Sequence, residues 1–415
     1  MLTQDEAELY DRQIRLWGVN AQSRLRGSKV LMLGFNGLAS EVAKILTLAG
    51  IDTLTIVDDA PLQKSDLTSN LFCRDTPKDG QKFRTHQVKE KLRTLNPLVK
   101  VNIDNASILS KSPTDFKGYD LVTLHSFLKI DQISSINKIC RDSNIKFYLA
   151  IDFGFFGFMF SDLGPNFKYT YEEYDKAPES ENYANNVSST KSSGEEKDPI
   201  NLGDDDENDA EALTDDDHDR DDSDRPKKRR RYHSPGRTPD KKNTQVDEKK
   251  HKVDTLPYAS FEDMISFKSA NFDKKSSPVL FMSIALIRFF DSHDRLPALL
   301  IEGDESNEES IKQDLSELNQ IMASIKDSLK LDDSIFRKLD PEWSESLKGS
   351  VSPICAIMGG IAGQDMIRAL SNKDIPIYNT FSFDGIDMSG VVEKVGVQSE
   401  NKSAAPIVRD YLEID

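Results

Sequence analysis

The sequence predicts an α/β chain: a Rossmann-like, doubly wound, mostly parallel sheet interrupted by a disordered charged insertion. Three observations predict it. An apolar run, Lys29 to Leu33, enters the turn Gly34-Phe35-Asn36-Gly37, after which apolar residues recur at helical period and a second run, Ile51 to Val57, ends at Asp58-Asp59. Strand-like and helix-like patterns keep alternating beyond it, which implies parallel strands joined by helical crossovers. From about Tyr171 to Val253 apolar periodicity vanishes and charged, Ser, Asn and Asp residues dominate, the composition of a chain that cannot bury a core.

Bulk properties bound the reading. At 415 residues there is room for one or two domains, and the hydrophobic share of 37% is low for a wholly globular chain. The formal charge of −17 is clustered rather than spread. The stretch from Asp204 to Asp224 carries about −12 and that from Arg225 to Lys252 about +9, so net charge says little about partners. Three cysteines, Cys73, Cys140 and Cys355, form no C-x-x-C pair, which argues against a disulfide framework or a zinc site and fits a reducing compartment. The first residues are acidic and polar, so no targeting peptide is expected there, and the longest apolar run, Val279 to Ile287, is too short to span a bilayer.

In chain order, Tyr10 to Gly18 reads as a short amphipathic helix, with Ile14 and Trp17 on one face and Arg12 and Arg15 on another. The strand–turn–helix–strand unit follows. Its turn is impoverished: Asn36 and Ala39 stand where close approach to a phosphate favours glycine, leaving Gly34 and Gly37, with Asp58 as the carboxylate that would hold a ribose. Lys82 to Leu95 predicts a basic helix stopped at Asn96-Pro97. Strands are expected at Val99–Ile103, Leu121–Leu124 and Lys146–Ile151, and a helix at Ile130–Cys140. The second of these strands ends at His125-Ser126, which offers no carboxylate for magnesium. Phe153 to Phe160 reads as a buried strand or bend, since no basic residue interleaves its aromatics as nucleic-acid stacking requires.

The insertion carries a compact cationic cluster, Lys227, Lys228, Arg229, Arg230 and Arg231, of the nuclear-localisation kind, beside Ser234-Pro235 and Thr238-Pro239. Order is expected to return near Ser260, with helices at Ser277–Asp291, Ser310–Leu329, Asp333–Lys338 and Pro353–Leu370, then strands at Tyr378–Asp384 and Val391–Val395. Gly359-Gly360 inside the last helix predicts a close approach by a neighbouring element, because each glycine otherwise costs about 1 kcal/mol of helix propensity. Cys355 in that helix reads as a core thiol. The expected divisions are residues 1–170, the insertion 171–256, and 257–415.

Tyr10-Asp-Arg-Gln-Ile-Arg-Leu-Trp-Gly18, the Gly34 turn, Asn96-Pro97, Gly359-Gly360 and Phe381-Ser-Phe-Asp-Gly385 together resemble the ubiquitin-activating enzyme family. Within it they are most similar to the smaller, non-thioester subunits of the heterodimeric SUMO-activating enzymes. The resemblance covers both ordered parts and implies a ThiF/MoeB-type adenylation domain. In that family two such domains pair and one binds ATP. The active copy has a fuller glycine turn, an Asn-x-x-Arg segment and a magnesium-binding Asp. Here Asn36 and Ala39 dilute the turn, Asp66 and Ser69 stand at the Asn and Arg positions, and His125-Ser126 replaces the Asp. The resemblance therefore implies an inactive copy, with no nucleotide or metal bound in cis and ATP and magnesium held by a larger catalytic subunit. It implies that Arg12, with Arg15 as a possible second contact, reaches the partner's ATP. It also implies SUMO as the modifier. The Lys227–Arg231 cluster points to a nuclear location, and no apolar run is long enough for a membrane. A nucleic-acid role is not expected, with recruitment of chromatin or nucleic acid through residues Arg225 to Lys252 as a further alternative. A subunit for a Nedd-type modifier and a free-standing oxidoreductase are the alternatives; the second would need an intact glycine fingerprint.

Overall fold

The computed structural model describes residues 3–73, 83–86, 88–173, 250–268, 272–300, 308–336, 345–397 and 412–413. Helix α1 (Gln4–Leu9) starts on a capping box, Thr3 Oγ1 accepting from the Glu6 amide and Glu6 from the Thr3 amide. Helix α2 (Asp11–Gly27) is broken at Gly18, where φ is +86°. Then come β1 (Lys29–Leu33), α3 (Gly37–Ala49), β2 (Thr53–Val57), α4 (Lys64–Ser69), α5 (Val88–Leu95), β3 (Lys100–Asp104) and β4 (Leu121–Leu124). Helix α6 (Ile130–Asp142) leads to β5 (Lys146–Phe153), β6 (Phe156–Asp162) and β7 (Phe167–Glu173). Across the insertion lie β8 (Lys250–Leu256), α7 (Phe261–Ile265), α8 (Pro278–His293), α9 (Glu308–Leu329), α10 (Asp333–Phe336), α11 (Ser352–Ser371), β9 (Thr380–Asp384), β10 (Ser389–Glu393) and β11 (Leu412–Glu413).

Among the described residues the main sheet has the order β11-β10-β9-β6-β5-β4-β1-β2-β3. The segment β5-β4-β1-β2-β3 is parallel, and the remaining strands extend it in antiparallel pairing. Strand order reverses between β1 and β4, so the crevice beyond their C-terminal ends is the switch point where such sheets take ligands. Alternate residues serve opposite faces. Val30 and Met32 of β1 join a core with α3, α5 and α11, whereas Leu31 and Leu33 join one with α6, α8 and α9. The sheet is therefore doubly wound.

The chain divides into two compact units, residues 1–173 with 251–415, and residues 174–250. In the first, β6 pairs with β9 across the insertion. Strands β7 and β8, which flank the insertion, pair with each other in a separate two-stranded sheet. Regular structure thus resumes at Lys250 rather than near Ser260: Lys252, Val253, Asp254 and Thr255 are exposed on this strand, and composition alone merges it with the insertion. The helix expected over Lys82–Leu95 begins only at Val88, because Phe83 bridges to Pro61 and Arg84 turns inward. In α11 the close contact is made by Gly359, where a side chain would strike Glu41 of α3. Gly363, one turn on, makes the other, a Cβ there lying 2.8 Å from Ile45; nothing lies within 4 Å of a Cβ at Gly360. The cationic cluster Lys227–Arg231 lies outside the described residues.

Candidate functional site

The glycine turn sits at the switch point, and this chain's own groups fill it. Gly34 has φ +86° and a side chain there would strike Ser126 Oγ at the end of β4. Asn36 caps α3: its Oδ1 accepts from the Ala39 amide at 2.9 Å, and its Nδ2 donates to the His125 carbonyl at 3.1 Å. Thus one amide of the first helical turn, that of Ala39, already has a partner. Asn70 Nδ2 donates to the Phe35 carbonyl at 3.0 Å, and Phe72 stacks on Phe35. A Cβ on Gly37 would lie 2.8 Å from Cys355 Sγ and 2.9 Å from Ser69, so glycine serves close packing there.

Asp58, the acid placed to hold a ribose, is committed elsewhere. Arg84 Nε lies 3.1 and 3.0 Å from its two oxygens and Nη2 2.5 Å from Oδ2. Oδ2 also accepts from the Phe35 amide at 2.6 Å, and Oδ1 from the Ala60 amide at 3.0 Å. Asp66 lies 3.5 Å from Arg84 on its other side. Burial works to lower the Arg84 pKa, but the Asp58 hydrogen bonds and both carboxylate charges outweigh it and leave it raised. Burial raises Asp66 against the pull of Arg84. Both oxygens of Asp58 thus already accept from strong donors within the fold.

His125 is buried, with Nε2 2.9 Å from Thr123 Oγ1 and Nδ1 3.1 Å from the Ala150 carbonyl. Burial pushes its pKa down to about 4, so near neutral pH it is an uncharged strut. Beside it Asp152 accepts from Ser350 Oγ at 2.7 Å and from Cys355 Sγ at 3.4 Å. Burial, then the Asp152 charge, pushes the Cys355 thiol up, so it is a poor nucleophile, as a core cysteine is. Among the described residues no group of three His, Cys, Asp or Glu is arranged to hold a metal.

The arginine helix is built the other way, with fixed ends and a free middle. Tyr10 is 1% exposed, its hydroxyl accepts from Asn96 Nδ2 at 2.9 Å, and its ring covers Gly50. Trp17 packs against the core and donates Nε1 to Gln22 Oε1 at 2.9 Å. Ile14 is only partly buried, so Tyr10 rather than an Ile14–Trp17 face anchors the first turn. Between the anchors Arg15 is exposed and pairs with Asp11 at 2.9 Å. Arg12 is exposed and has no ion-pair partner among the described residues. One turn beyond it, Leu16 is 74% exposed.

The glycine turn, the anchored arginine segment and the antiparallel strands β6, β9 and β10 all lie within residues 10–405, which match the ThiF family. The chain belongs to this family. It is 31% identical to SUMO-activating enzyme subunit 1 of Xenopus tropicalis, over 95% of this chain and 97% of that one. Against the Rattus norvegicus protein of that name it is 31% identical over 96% of each, and against the Dictyostelium discoideum one 29% over 95% and 94%. The family resemblance drawn from Tyr10–Gly18 and Gly359-Gly360 therefore holds over nearly the whole chain, and the chain is a SUMO-activating enzyme subunit 1 relative.

In this ThiF-family chain the structure separates the residues singled out from sequence into two places. Gly34, Gly37, Asp58, Asp66, Ser69, His125 and Ser126 come together at the switch point. Arg12 and Arg15 lie on the opposite side of α3's length, at its C-terminal end. Sequence reasoning missed Arg84, Gln22 and the role of Asn96. Arg84 reads as one more charge on a basic helix, and only the buried acid Asp58, which needs a cation, pointed to it.

Proposed function

We propose that this chain is the smaller, non-thioester subunit of a heterodimeric SUMO-activating enzyme. The observation that carries the proposal is the exchange between two sites. Asp58 is occupied by Arg84 within the fold, while Arg12 stands exposed and without an ion-pair partner among the described residues, on a helix fixed at both ends. The names of the 29–31% identical relatives support the modifier class. On this reading the larger subunit holds ATP and magnesium and adenylates the SUMO C-terminal carboxylate. The modifier then passes to a cysteine of that subunit, since this chain's insertion contains no cysteine. Arg12 adds a fixed positive fork where phosphate charge builds up in the transition state. Arg15, paired with Asp11, belongs to the docking surface, and Leu16 offers that surface apolar area.

The test is pyrophosphate exchange by the reconstituted heterodimer with SUMO. Arg12→Ala is expected to slow it by about 10²–10³-fold with assembly intact, by analogy with losing one transition-state donor; an unchanged rate refutes the role. ATP titration of this chain alone should give no micromolar binding. For the proposed nuclear location, alanine replacement of Lys227, Lys228, Arg229, Arg230 and Arg231 should abolish nuclear accumulation; unchanged accumulation would remove that cluster as the signal.

A further inference from the structure

Both ends of the arginine helix are tied to one place, the C-terminal end of α3. Asn96 Nδ2 bridges the Tyr10 hydroxyl at 2.9 Å and the Thr47 carbonyl at 2.9 Å. Gln22 accepts from Trp17 Nε1 at 2.9 Å and donates Nε2 to the Ala49 carbonyl at 2.9 Å. The Tyr10 ring lies on Gly50, the left-handed residue that ends α3. Thr47 and Ala49 are in the last turn, where carbonyls run out of i+4 partners; that of Thr47 takes the Gly50 amide at 3.1 Å beside Asn96. Asn96 and Gln22 are 3% and 0% exposed, so their amides are fixed by these bonds rather than by water. The segment they hold runs from Asp11 to Trp17 before the break at Gly18, too short to hold its own direction in water.

We infer that Gln22 and Asn96 are positioning residues for Arg12: they clamp the arginine helix at both ends to the C-terminus of α3, so that the guanidinium is aimed before any partner binds. The inference rests on the role of Arg12 proposed above. Pre-set aim matters because displacing a charge by a fraction of an ångström from a reacting phosphate is felt in the rate rather than in binding of the ground state.

The test is a double-mutant cycle in the reconstituted heterodimer, read by pyrophosphate exchange with SUMO at saturating ATP. The variants are Gln22→Met, Trp17→Phe and Arg12→Ala, each alone, with the first two also in the Arg12→Ala background. Trp17→Phe deletes the donor to Gln22 while leaving an aromatic ring against the core, so it remains informative if Gln22→Met fails to fold. Gln22→Met and Trp17→Phe are each expected to lower kcat about tenfold with the ATP KM held within about twofold, and to cost nothing further once Arg12 is alanine. If Arg12→Ala slows exchange but the clamp variants do not, or slow it equally in both backgrounds, the clamp is overturned and the role of Arg12 stands. If Arg12→Ala leaves the rate unchanged, the role of Arg12 fails and the clamp with it.

Discussion

The two ends of α3 have been put to opposite uses. At its N-terminus, where this fold ordinarily receives an anion, Asn36 caps the helix and Ser126 stands against Gly34, while Arg84 neutralises the buried Asp58. The Asn36 side chain, the Ala39 amide and Asp58 are all matched from inside. At its C-terminus, ordinarily of no chemical interest, the last carbonyls hold Asn96 and Gln22, and these hold a helix with an exposed cation. The difference teaches that one helix can take internal pairing at one end and hold a neighbouring segment with the other.

The comparison breaks most readily at Arg84. Arg84→Met leaves Asp58, 2% exposed, without its cation and should destabilise the chain by about 3–5 kcal/mol in urea unfolding. Asp58→Asn together with Arg84→Met should recover most of that loss; if the double variant is as unstable as the single one, internal pairing is not what holds this end. A second buried acid sharpens the point because no guanidinium grips it. Asp365 accepts from Tyr148 at 2.8 Å and the Ile377 amide at 2.7 Å, with Arg368 no nearer than 3.8 Å, and burial pushes its pKa up to about 6. The folded state therefore favours the protonated acid. Its contribution is full below about pH 4 and is lost as pH rises through about 6. Asp365→Asn should erase that slope, a difference on the order of 3 kcal/mol between pH 4 and 7 by thermal or urea unfolding. The smallest effects lie along the flank of α3 between its ends. Gly359→Ala forces a methyl into Glu41 and should destabilise by about 1–3 kcal/mol. Gly360→Ala, with open space around it, should instead stabilise by up to about 1 kcal/mol. Equal effects of the two would mean that α11 does not abut α3 as closely as Gly359 implies.

Much of the parallel half was legible because its signals are local. The run Lys29–Leu33, the turn at Gly34 and the apolar period of α3 lie within about one βαβ unit, and each appears where the pattern places it. The impoverished turn was legible too, since Asn36 and Ala39 are read directly. What filled it was not. The Asp58–Arg84 pair spans 26 residues of sequence, and Arg84 lies in a stretch whose charges look solvated. Tyr10 was hidden for a related reason: helical spacing favours Ile14 and Trp17 as a buried face, whereas a kink at Gly18 and the partners Asn96 and Gly50 decide the real one. Strand β8 escaped because a ribbon exposed to water has no apolar alternation to betray it.

Gly18 is the joint at which the arginine segment leaves the rest of α2, with φ +86° and ψ 162° and nothing within 4 Å of where a side chain would begin. That backbone region is closed to L-residues and is the mirror image of one they occupy freely. The joint is therefore selective for handedness rather than for size. In a chain assembled by chemical ligation, D-alanine at this position should fold as the natural chain does, whereas L-alanine, identical in every bond, would have to redirect the whole arginine segment.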